Sequence, residues 1–242
     1  MSNLDEFSRL RNAILQYHKT RRFAGLQGMT ISNSIENHLH AMPGASVFTR
    51  KDVAHQLKVD ENRVSQALQR LAKKGEVQYI SHGLWQRPKF TRFGPVSASA
   101  ENVVAALERN RDVFIVPCGA RVLNAIGAST QLPMKYRFLS TKPIQPIKFG
   151  RKSIEFEYSS AFASACSNLK SLPRAEQRMV ASLWGALVYA GKKHATVQAT
   201  AFRGAFDTLS LCGQEHLLAC FSRRLRWAHA VLRGSEDKIG ES

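Results

Sequence analysis

Acidic residues are scarce in this 242-residue chain: 18 Asp and Glu stand against 35 Lys and Arg, for a formal net charge of +17 and an isoelectric point near 10.2. That imbalance points to a polyanionic partner, of which nucleic acid is the usual one. Residues 1–95 carry 15 Lys and Arg against 7 Asp and Glu, and the remainder carries 20 against 11. The excess is spread along the chain, which fits an extended phosphate-facing surface better than a globular body with one basic arm. Long apolar runs are also missing. No stretch of about 18 apolar residues could cross a bilayer, and no positively charged start leads into an apolar segment. The expectation is a cytoplasmic, nucleoid-associated protein with no membrane partner. With 44% hydrophobic residues, disorder over most of the length is not expected, and the chain is long enough for one large domain or two to three small ones.

Cysteine is sparse: Cys118, Cys166, Cys212 and Cys220 lie far apart, with no CxxC pair to suggest a metal ribbon or a redox motif. In a reduced compartment they read as small buried hydrophobes. Cys212, His216 and Cys220 could share one helix face, but Gly213 interrupts the pattern and no fourth ligand is near, so no metal site is assigned. Also absent are a Walker loop, GxGxxG, HExxH and a defensible PD…(D/E)xK arrangement. "PCGAR" at 117–121 sets a cysteine between a strand and a helix start, where a thiol could be activated. A nucleophile needs a base, however, and no His or paired acid lies nearby in sequence. The chain therefore reads as a non-enzyme without catalytic residues or cofactors. Lys192, Lys193 and His194 read as a solvated basic loop, and no internal repeat is present.

What the sequence does have is a run of well-punctuated local elements. In "DENRVSQALQRLAKKGEV", Asp60 can cap a helix and Gly75 can end it. Residues 100° apart place Val64, Ala67, Leu68, Leu71 and Ala72 on one face. Asn62, Arg63, Gln66, Gln69, Arg70 and Lys73 fall on the other. Before it, Thr49 with Asp52 three residues on predicts a capping box for a short helix to Leu57, and "KVD" predicts a tight turn in which Lys58 stands where glycine is common. A helix over residues 30–42, with Ile31, Ile35 and Leu39 inward, precedes this pair. Two β-runs, Val77–Ser81 and Leu84–Arg87, follow around "SHG". Helix, helix-turn-helix and β-hairpin in that order predict a winged helix.

The expected class is α+β and helix-rich. Residues 1–28 form an amphipathic helix and basic linker, the helix either packing in cis or dimerising. Residues 29–92 form the winged helix-turn-helix, 93–160 a small α/β domain with a mixed sheet, and 161–242 a helical C-terminal region. "PKFTRFGPVS" at 88–97 reads as the linker between the first two domains. In the C-terminal region Trp184, Leu187 and Val188 form one apolar stripe, and Leu217, Leu218, Phe221, Leu225 and Ala228 another.

A helix fits the DNA major groove, the one groove where base edges are unambiguous. Asn62, Arg63 and Gln66, in the first turns, are the expected base readers. Gln69, Arg70 and Lys73 lie further along, where phosphates are nearer. Thr49, Arg50 and Ser65 join the DNA-binding set, as do the wing residue His82 and the following Lys89 and Arg92. Trp85 is expected to anchor the hairpin in the core.

"GASVFTRKDVAHQL", "VSQALQRLAKKGEVQYISHGLWQRP" and "PCGARVLNAIGASTQLPMKYRFLST" resemble the AbiEi-type antitoxins of bacterial type IV toxin–antitoxin systems, over about residues 30–160. The resemblance implies a winged-helix DNA-binding domain joined to an α/β domain. It also implies repression of the protein's own operon through an inverted-repeat operator, and antagonism of a nucleotidyltransferase-like toxin. By position the DNA-reading role falls on Asn62–Lys73 and the wing at Ser81–Trp85. Cys118 stands where a serine is expected, and the extension before Met29 is an addition. The implied partners are double-stranded DNA at the promoter, a cognate toxin, and a second copy paired on the operator. The alternative is an antitoxin acting mainly by protein or RNA contact with the toxin, DNA binding being secondary.

Overall fold

The structure, a computed structural model, describes residues 31–81, 83–131, 135–149 and 152–234. It is α+β and rich in helix, with small sheets, one of them mixed. The helix expected over residues 4–18 and the basic segment after it lie outside the described residues. Two compact units divide the chain, with a boundary between Val96 and Ser97, except that Ile80 and Ser81, at the end of one strand of the first unit's sheet, group with the second.

The first unit runs α1 (Ile31–Ala41), β1 (Val47–Thr49), α2 (Arg50–Leu57), α3 (Glu61–Lys73), β2 (Gln78–Ser81), β3 (Leu84–Gln86), β4 (Lys89–Thr91) and β5 (Gly94–Val96). The sheet order β1-β3-β2, with β1 and β3 antiparallel, is that of a winged helix. Its core joins Ile35 and Leu39 of α1, Val53 and Ala54 of α2, and Val64, Ala67, Leu68 and Leu71 of α3, so the face expected to be apolar is the buried one. Fully burying one such leucine is worth about 1.5–3 kcal/mol. Ile31 departs from the expected stripe and is partly exposed at the helix start. Lys58 takes the left-handed conformation at φ 53°, and its N–H closes α2 on the Ala54 carbonyl. Arg87 ties the sheet to the end of α1, donating to the carbonyls of His40 (2.6 Å) and Met42.

The expected linker at 88–97 is instead a second hairpin, β4–β5, and the boundary moves from residue 92 to 96. Phe90 pairs with Pro95, tolerable because each strand of a two-stranded ribbon is an edge. Thr91 closes the turn: its hydroxyl donates to the Gly94 carbonyl at 3.0 Å and accepts the Phe93 N–H at 3.3 Å.

The second unit runs α4 (Ala100–Arg111), β6 (Ile115–Pro117), α5 (Ala120–Ala125), β7 (Tyr136–Ser140), β8 (Ile147–Phe149), β9 (Lys152–Tyr158), α6 (Ser160–Ser167), α7 (Arg174–Val197), α8 (Ala199–Asp207), α9 (Leu211–Ala219) and α10 (Trp227–Arg233). The sheet order is β6-β7-β9-β8, with β7 and β9 parallel and the outer pairs antiparallel. One core holds Val116, Leu139, Phe162, Trp184, Leu187, Phe202, Leu217 and Ala228. The division expected at residue 160 is therefore corrected: sheet and C-terminal helices make one unit, because neither apolar face is covered without the other. At Gly185 a Cβ would sit 2.7 Å from Leu139 Cδ1, so glycine lets α7 lie close on β7. Val188 is exposed and leaves the expected stripe. The expected basic loop is helical: α7 kinks at Gly191 and resumes through Lys192, Lys193 and His194.

Candidate nucleic-acid interface

α3 is a capped helix with a committed inner face, so its outer face is held in a fixed direction. Asp60 accepts the Asn62 N–H at 2.8 Å, and Gly75 follows the last turn at φ 77°. Asn62, Arg63, Gln66, Gln69, Arg70 and Lys73 are all exposed and follow one another at three- and four-residue steps or side by side. Ser65 is half-buried at the margin of this face. Among the described residues Arg63 and Lys73 have no ion-pair partner within 4 Å. Arg70 is less free, donating to Ser32 Oγ of α1 at 2.5 Å.

Around the start of α3, Arg50 is exposed and pairs with Glu61 at 3.0 Å, which neutralises the acid at the first helical position. Thr49 does not belong to the contact surface. It is buried inside a complete capping box, its hydroxyl accepting the Asp52 N–H at 3.1 Å while Asp52 Oδ2 accepts its own N–H at 2.9 Å. Thr49 aims α2, and its side chain is not offered to a ligand.

The wing brings a residue that the alternation in "VQYIS" alone did not single out. Tyr79 is 58% exposed, meets Trp85 edge-on at 5.2 Å, and its hydroxyl accepts the Gly83 N–H at 3.3 Å, bracing the turn. Trp85 packs half-buried against the first unit's core, as its anchoring role required. Lys74, exposed at the end of α3, extends the basic edge beside Lys73. His82 lies outside the described residues.

Lys89 and Arg92 are not brought to this end of the unit. Strand register sets Thr49 opposite Leu84 and Val47 opposite Gln86; Arg87 then pairs with Ala45 and Ser46, and Lys89 lies against Gly44. The β4–β5 hairpin thus leaves the sheet at the end away from Thr49, Arg50 and the start of α3. There Arg92 stacks on Phe93 at 4.6 Å, and Phe90 and Phe93 are 68% and 85% exposed.

In the second unit, burial pushes the Cys118 thiol up to about 12, with the negative charge of Glu157 adding to the effect, so it is protonated and a poor nucleophile near neutral pH. Cys212 Sγ lies 3.4 Å from His216 Nδ1, while Cys220 turns to the Ala165 carbonyl. Among the described residues no three His, Cys, Asp or Glu side chains are grouped to hold a metal.

With this geometry in view, residues 34–171 match the model of a family described as "Family of unknown function (DUF6088)". The match spans more than half the chain. The chain belongs to that family. The DUF6088 segment takes in both HTH helices, the wing and the whole mixed sheet of the second unit. No curated protein matches the sequence. Among solved structures, the chain is similar to the RV2827C protein from Mycobacterium tuberculosis, at 15% identity and a TM-score of 0.45, over 84% of this chain and 75% of that one. No described helix is long and apolar enough to cross a membrane.

Proposed function

We propose that this protein is a sequence-specific DNA-binding transcriptional repressor, which reads the major groove with α3 and represses its own operon. The observation that carries the reading is the outer face of α3: base-reading side chains in its first half, cations in its second, and a capped frame that fixes both. Asn and Gln suit adenine and Arg suits guanine, while Lys73 and Lys74 suit phosphates. The net charge of +17 supports the same partner. Two copies would occupy an inverted repeat, since one α3 spans only a half-site. The resemblance to AbiEi-type antitoxins extends the reading to an antitoxin role, in the cytoplasm, against a nucleotidyltransferase-like toxin. The test is binding to the duplex upstream of the protein's own gene, compared with scrambled duplex at physiological salt. Equal affinity for the two would remove sequence-specific repression.

A second reading, antitoxin action mainly through protein or RNA contact with the toxin, draws on the β4–β5 hairpin. Exposed Phe90 and Phe93 with Lys89 and Arg92 make a surface in the first unit that α3 does not use. Toxin neutralisation by a variant with Arg63, Gln66 and Lys73 replaced by alanine would favour it.

A further inference from the structure

The second unit holds a cleft of about 360 Å3 that DNA reading by α3 leaves unused. Its walls come from the turn after α4, the residues after β7, the end of α6 and the first turn of α7. Most of its uncharged polar groups are already engaged. The Thr141 hydroxyl accepts the Phe114 N–H at 3.0 Å, and the Ser167 hydroxyl donates to the Ala163 carbonyl at 3.0 Å. The Gln177 amide donates to the Leu172 carbonyl at 2.7 Å and accepts from Arg174 at 3.4 Å. A neutral, hydroxyl-rich ligand would find few free partners here.

The cations are different. Lys170 has no ion-pair or hydrogen-bond partner among the described residues. Lys142 is held loosely, 3.8 Å from Asp112 and 3.5 Å from the Arg111 carbonyl. Arg174 is pre-aimed, stacked 4.2 Å over the Phe114 ring and bonded to Glu108 Oε1 at 3.3 Å. Three cations (Lys142, Lys170, Arg174) thus line the cleft with one carboxylate, Asp112, an excess of two positive charges, while Glu108 behind it is shared by Arg174 and Arg178. A phosphate monoester carries about −1.5 to −2 charge near pH 7 and accepts hydrogen bonds on three oxygens. The cleft is also larger than a bare phosphate and within the range of small-molecule sites.

We propose that this cleft binds a small phosphate-bearing molecule, with Lys142, Lys170 and Arg174 holding its phosphate. The experiment is calorimetric titration of the full chain, without DNA, at fixed ionic strength, using AMP, inorganic phosphate and adenosine as probes. AMP should bind saturably at one site, phosphate more weakly, and adenosine not at all. Lys142→Gln and Lys170→Gln, both exposed and remote from the core, should each weaken AMP about 10-fold with the melting curve unchanged. No saturable binding of AMP or phosphate up to about 5 mM, a weak limit of affinity, would overturn the proposal. So would adenosine binding as tightly as AMP, or variants that keep full affinity. If the variants lose duplex-DNA affinity while AMP fails to compete, the cleft serves backbone phosphates and the small-molecule assignment is wrong. Because no DNA enters the titration, its failure leaves the reading by α3 intact, and failure of DNA recognition leaves this site intact.

Discussion

Replacing Arg63 by alanine separates base reading from charge. Arg63 is exposed, forms no ion pair among the described residues, and sits in a helix where alanine is the better former, so folding should change by no more than about 0.5 kcal/mol. A bidentate arginine–guanine contact is worth about 1–3 kcal/mol, a loss of roughly 5- to 150-fold on the specific site. Lys73 lies ten residues on, about 15 Å along the helix axis at 1.5 Å per residue, and so cannot touch the same base pair. Lys73→Ala should weaken every duplex alike and lower the salt slope by about 0.9. Fluorescence anisotropy over a salt series, on the upstream duplex and on single-base variants of it, measures both quantities. Arg63→Ala should relax the preference at one base position, and Lys73→Ala at none. If both variants lose affinity uniformly and both lower the salt slope, the division of α3 into a reading half and a gripping half is refuted.

Lys89→Ala and Arg92→Ala should change the same affinity by less than about 3-fold, because their hairpin leaves the sheet away from the start of α3; a loss as large as that of Arg63→Ala would place the hairpin on DNA. Lys58→Gly should raise stability by up to about 1 kcal/mol, since the left-handed conformation at φ 53° costs a side-chain-bearing residue more than glycine loses in the unfolded state. A lower urea midpoint for that variant would contradict it. Cys118 gives a pH signature. Its thiol rises from about 9.0 to about 12 on folding, so the unfolded chain releases its proton first, and stability present below pH 9.0 is lost as pH climbs towards 12. The loss is about 1.4 kcal/mol per pH unit. Wild type should therefore lose its advantage over Cys118→Ala between about pH 10 and 11 by about that amount in chemical denaturation, and parallel pH profiles would refute the burial account.

The winged helix was legible because its determinants are local. Thr49 with Asp52, Asp60 with the Asn62 N–H, and Gly75 each act within a few residues, and the apolar face of α3 repeats at helical spacing. The exposed polar face of that helix could be named for the same reason. Thr49 shows the limit: a polar residue beside an exposed polar helix face reads equally as contact or cap, and only the bonds to Asp52 decide. The β4–β5 hairpin was illegible because Pro88, Gly94 and Pro95 are breakers in most contexts. In a two-stranded ribbon a proline needs no ladder partner on its outer side, and the bonds of Thr91 supply the turn. Strand β1 was missed because three residues carry too little periodicity, and its pairing to Leu84–Gln86 spans more than thirty residues of chain.

Long-range closure also explains why the family match and the folding unit end in different places. The match stops at Ser171, yet the core it encloses is completed by residues beyond it: Trp184 and Leu187 of α7, Phe202 of α8 and Leu217 of α9. Glu108, with only 8% of its side chain exposed, relies on Arg174 and Arg178, and the α7–β7 approach relies on Gly185. A chain ending at Ser171 would leave a carboxylate without its two guanidinium partners and Phe162 without Trp184, which meets it at 5.6 Å. Both guanidiniums are partly exposed while the carboxylate is buried, so their removal would leave a desolvated charge short of partners at a cost of about 1–3 kcal/mol, a large share of a small domain's stability. The helices after residue 171 therefore belong to the same cooperative unit as the sheet, whatever their sequence similarity to relatives.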